Sequence, residues 1–141
     1  MTPTLLGRIQ TRLLLLATVG VLWTLVVSPF LPAGGAPIGD VYTATFRALA
    51  IVAIVGVLIW EPIYHGLQQL RWEKDWPTGI GLVTGLTEGV TTYLVLTGIM
   101  DVPGSAFVIH FFTTWVLVWM SVHGPLRIVL LRWRYRGGRI I

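Results

Sequence analysis

The stretch 42–64, YTATFRALAIVAIVGVLIWEPIY, decides how the whole chain is read. Apart from Arg47 and Glu61 it carries no charge. A helix rises about 1.5 Å per residue, so about 20 such residues cross the roughly 30 Å of hydrocarbon in a bilayer. Three further stretches share the pattern, at about 13–31, 78–100 and 106–131. The first is only just long enough. Between them lie breaks that cannot stay helical. The segment from Ser28 to Pro37 contains three prolines, and proline lacks a backbone donor and clashes with the preceding turn. Trp76-Pro77 opens the third stretch, and Asp101-Val102-Pro103-Gly104-Ser105 is a tight turn whose serine is placed to cap the fourth. The expected architecture is an all-α integral membrane protein. It is a single domain over 1–141, an antiparallel bundle of four transmembrane helices with short loops and a basic tail over 132–141.

Composition agrees. Hydrophobic residues make up 55% of the chain and charged residues 11%, against about 25% charged in a soluble domain. There is no cysteine, which excludes disulfides, thiolate metal sites and thiol catalysis. Nine of the ten basic residues are arginine, a usage typical of a GC-rich bacterial genome, and the expected location is a bacterial plasma membrane. Arg8 and Arg12 ahead of an apolar run also have the pattern of a secretion signal, but Pro37 would follow the cleavage point poorly.

Orientation follows from the positive charges. With both ends inside, the cytoplasmic side receives Arg8, Arg12, Arg71, Lys74, Arg132, Arg134, Arg136 and Arg139. The outer side receives Asp40 and Asp101, with Arg47 near the outer end of the second helix. Trp60, Tyr64, Trp72, Trp76 and Trp133 gather at the inner boundary, where amphipathic rings prefer to lie. The tail arginines Arg132, Arg134, Arg136 and Arg139 alternate with aromatics. Directly after a span, they are expected to meet anionic inner-leaflet lipid or a partner protein rather than nucleic acid.

The third stretch stands apart. Gly81, Gly85 and Gly89 recur every four residues and so share one face. Such spacing lets another helix approach closely, either within the bundle or in a homo-oligomer. Five threonines add hydroxyls, and the helix is expected to be surrounded by protein. Glu88 lies within about one turn of its midpoint, where a carboxylate costs several kcal/mol unless it is paired, hydrated or protonated.

Other chemistry-bearing residues sit near the inner boundary. Glu61 and His65 are one turn apart, and His123 precedes Gly124-Pro125, which is expected to kink the fourth helix. If the second and fourth helices touch, Glu61, His65 and His123 form either a hydrogen-bonded cluster or a site for Zn²⁺ or Fe²⁺. No recognisable motif supplies a fourth ligand. His110 and His123 raise haem ligation, but thirteen residues place them about 20 Å apart along a helix and about 140° apart around it. No cofactor is expected. No phosphate loop, nucleophile elbow or catalytic carboxylate pair is present.

Packing features thus outnumber chemical ones. The sequence points first to a non-catalytic membrane subunit of a homo-oligomer or larger complex. The alternative is a small proton or cation channel or transporter, using Glu88 with an inner cluster of Glu61, His65 and His123.

Overall fold

The computed structural model describes residues 3–73 and 77–141. Lys74 and Trp76, counted above for the inner side, fall outside the described residues. Every regular element among those described is helical. Four helices are long and apolar enough to cross a membrane: α1 (Leu5–Phe30), α2 (Ile38–Leu70), α3 (Ile80–Thr97) and α4 (Gly104–Val129). A short helix, α5 (Leu131–Tyr135), follows.

The boundaries of the first two helices depart from expectation. Thr4 caps α1, its hydroxyl accepting the Gly7 N–H at 3.1 Å. The helix therefore begins eight residues before the apolar run at Leu13, and Arg8 and Arg12 lie inside it. Pro62 does not end α2, which continues to Leu70. The turn before it is a wider π segment, Gly56–Trp60, and the missing donor of Pro62 is absorbed there. A second π segment, Leu16–Gly20, interrupts α1. Ser105 lies inside the first turn of α4 and makes no cap. Gly124 breaks α4 before Pro125, with φ −112° and ψ −100°, as the sequence predicts.

The four helices meet in a common apolar core of Leu16, Ala48, Leu49, Ile51, Val52, Leu96, Phe107 and Phe111. The glycine face of α3 receives an aromatic ridge from α4. A Cβ at Gly85 would lie 2.5 Å from the Trp115 indole, one at Gly89 2.9 Å from Phe111, and one at Gly81 3.3 Å from Trp119. The Trp115 and Trp119 indoles also donate to the Gly81 and Thr78 carbonyls, each at 3.0 Å. The glycine stripe is thus filled from within the chain.

The opposite side of α3 is open. Val83, Leu86, Val90 and Leu94 are each more than half exposed, so the rest of this chain does not enclose α3. Leu22, Ile54, Leu58 and Met120 are exposed on the other three helices. Exposed apolar side chains over four long helices suit a surface that faces lipid.

Candidate functional site

Arg8 and Arg12 are one turn apart and project from the same side of α1. Both turn into the protein. Arg8 Nε donates to Glu61 Oε2 at 2.7 Å, and Arg12 Nε donates to Glu61 Oε1 at 2.7 Å. Arg12 then uses both terminal nitrogens on Glu88, Nη1 to Oε2 at 2.6 Å and Nη2 to Oε1 at 2.8 Å. Arg8 Nη1 reaches Gln68 Oε1 at 3.3 Å. One guanidinium therefore holds carboxylates from two other helices, and a second supports it. The charges sum to zero. Glu88 is 1% exposed.

Backbone geometry makes room for this network. Gly56 lies against Arg12, and a Cβ there would be 2.5 Å from Nη1. α4 contributes a ring: the Arg12 guanidinium carbon lies 5.8 Å from the centroid of Trp115, within cation–π range. Arg8 stands 5.9 Å from the Tyr64 ring, and Tyr64 is hydrogen-bonded through its hydroxyl to Thr87 at 3.1 Å. All four spanning helices meet at Arg12.

The network lines a cavity of about 450 Å³, whose wall also includes Thr84, Trp119, His123 and Arg127. That volume suits a small organic molecule. A smaller cavity of about 70 Å³ lies at the far end of the helices, by Asp40, Asp101 and His110. Between the two, Leu16, Phe111 and Trp115 leave only about 20 Å³.

The C-terminal tail contributes Trp133 and Gly138 to the wall of the larger cavity. Trp133 is 3% exposed, and its indole donates to Thr11 Oγ1 at 2.7 Å. Thr11 in turn donates to the Gly138 carbonyl at 3.0 Å, and the Thr4 N–H donates to the Gly137 carbonyl at 2.8 Å. Gly137 and Gly138 have φ of 61° and 83°, a left-handed pair that favours glycine. Gly7 lets this strap lie against α1, since a Cβ there would overlap the Gly137 carbonyl. The tail is docked by its backbone and Trp133, while Arg132, Arg134, Arg136 and Arg139 remain exposed.

The sequence candidates divide. Glu61, Glu88 and His123 line the one cavity, and His65 does not. His65 instead approaches Gln69 at 3.5 Å, and its Nδ1 is buried with no partner. His123 Nδ1 is 2.8 Å from the Trp119 carbonyl. No group of three His, Asp or Glu among the described residues is arranged to hold a metal. Glu61 faces arginines, so it does not combine with His65 and His123 as such a site would need. His110 lies apart from His123, buried against Thr24 Oγ1 at 2.9 Å. The partners of the two acids, Arg8 and Arg12, were counted by sequence among the charges of the cytoplasmic side, outside the apolar run that begins at Leu13. The signal that places them in the helix is Thr4, a capping residue ahead of Leu5 and Leu6, together with their four-residue spacing.

No family model, curated protein or solved structure matches the chain.

Proposed function

We propose that the chain is a small multi-pass membrane protein that binds and carries a charged solute, with its site in the 450 Å³ cavity. The observation that carries this reading is the paired Arg8–Glu61–Arg12–Glu88 network on the wall of an open cavity. Ionisable groups within a span are costly and mark substrate or ion pathways. The narrow core between two end cavities suits a carrier that opens to one side at a time. One support of the scaffold reading is taken within the chain, since α4 fills the glycine face; the tail keeps its arginines exposed but is itself docked on α1.

The same reading places the helices as an antiparallel bundle with both ends in the cytoplasm of a bacterial plasma membrane. Side-chain pairings support the antiparallel order, since Gly89, Gly85 and Gly81 meet Phe111, Trp115 and Trp119 in turn. Likewise Ser28 meets Thr45 at one end of α1, and Arg8 meets Glu61 at the other. The cavity then opens toward the inner leaflet, where the tail arginines meet anionic lipid.

One observation favours a second reading. Every oxygen of Glu61 and Glu88 already has an arginine partner, which suits a structural lock in a packing subunit of an oligomer or larger complex. Thr84→Cys separates the two. The chain has no cysteine of its own, so a water-soluble methanethiosulfonate reagent reports on that position alone. A carrier site reacts when reagent is applied from the cytoplasmic face of membrane vesicles. No reaction from either face removes the carrier reading.

A further inference from the structure

Three arginines line the large cavity against two carboxylates. Glu61 and Glu88 balance Arg8 and Arg12, which leaves Arg127 of α4 as surplus. Arg127 makes no ion pair among the described residues. Trp115 and Trp119 supply flat apolar walls to the same cavity. A net positive site with aromatic walls fits an anionic head on a flat apolar body, and the volume fits a small molecule.

Resting on the carrier reading, we infer that the cavity binds a small organic monoanion and that Glu88 takes up one proton as it binds. The bonding pattern distinguishes the two acids. Glu61 is shared by Arg8 and Arg12, so it keeps a partner if Arg12 turns away. The arginine bonds of Glu88 both come from Arg12. An anion that takes the Arg12 terminal nitrogens therefore strips Glu88 of its counter-charge. The other charged or titratable groups lining the cavity are Arg8, Glu61, Tyr64, His123 and Arg127; Tyr64 is hydrogen-bonded to Thr87 and also neighbours Glu88, but its neutral hydroxyl does not replace the lost positive charge. An ionised carboxylate buried without a partner is costly. A proton on Glu88 removes that cost. The anion and the proton enter together, the proton forming an O–H bond on a Glu88 oxygen, and the net charge of the site is preserved.

Binding coupled to proton uptake strengthens as pH falls and weakens as pH rises. For one proton the dissociation constant rises about tenfold per pH unit wherever free Glu88 is ionised. The test is calorimetry of the full chain in neutral phosphatidylcholine nanodiscs with naphthalene-2-sulfonate, which does not itself titrate. Buffers of different ionisation enthalpy give the proton count. The wild type takes up about one proton per anion. Glu88→Gln binds the sulfonate with no proton uptake and no pH dependence. Arg127→Gln, at an exposed position, weakens binding about tenfold. Dihexanoyl phosphatidylglycerol at matched ionic strength does not compete, and competition would give the site to a lipid headgroup and overturn the small-anion assignment. Binding without proton uptake in the wild type, or uptake that persists in Glu88→Gln, overturns the coupling. No binding overturns the anion class, yet Thr84→Cys still reacts if the cavity is a solute site.

Discussion

Arg12 bonds through three nitrogens to two carboxylates on two other helices. A planar guanidinium supplies this fork, and an ammonium does not. Arg12→Lys keeps the charge but loses the two-pronged contact with Glu88. It is expected to destabilise the protein by about 2 kcal/mol, read as a lower midpoint of unfolding in a denaturing-detergent titration. An unchanged midpoint would count against the fork. At this scale the sequence made the acids visible and hid their partners. Glu61 and Glu88 stand out because carboxylates are rare in apolar runs. Arg8 and Arg12 did not, because hydropathy alone sets the start of α1 at Leu13, whereas a capping threonine and two half-buried, ion-paired arginines extend it to Leu5. Hydropathy scores the arginine by its free charge, and here that charge is neutralised inside the fold.

Helix contacts follow the same logic of sites that admit no added atom. Gly85 and Gly56 each face a group that a new Cβ would meet at 2.5 Å, the Trp115 indole and the Arg12 guanidinium, whereas nothing lies within 4 Å of Gly66. Gly85→Ala and Gly56→Ala are expected to cost about 1–3 kcal/mol, and Gly66→Ala about 0.5 kcal/mol or less. Equal effects in all three, measured by the same titration, would mean that the packing around α3 and α2 is looser than described. The four-residue glycine spacing was readable as a close-packing face, since helical periodicity fixes which residues share a side. What covers that face was not readable. The ridge of Phe111, Trp115 and Trp119 also repeats every four residues, but matching two stripes requires knowing which helices are neighbours. The apolar stretch ends at Tyr64, two residues after Pro62, and proline often marks a helix end. In α2 a π turn takes up the lost bond and the helix runs on.

The whole molecule is a set of four apolar helices that hold a charge network toward one end, with the tail strapped back against α1 there. The four spans were legible from length and hydropathy, and the strap was not. An alternation of arginine and aromatic residues looks like a lipid-facing tail; its arginines are exposed, but its backbone and Trp133 are docked. The docking of Trp133 depends on Thr11 and Gly7, more than a hundred residues away in sequence. Trp133→Ala is expected to cost about 3 kcal/mol or more and to raise amide exchange over residues 133–139 and the first turns of α1. Exchange confined to the tail would contradict the strap.

The central claim is that Arg12 and Glu88 pair across α1 and α3 inside the membrane-spanning part. A double-mutant cycle with Arg12→Gln and Glu88→Gln, followed by unfolding of all four proteins, tests it most directly. Removing one partner strands the other charge, so each single change is expected to cost about 3–5 kcal/mol. The double change should cost less than the sum of the singles by about 2 kcal/mol or more. Costs that add to within about 0.5 kcal/mol would show two independent residues and contradict the account.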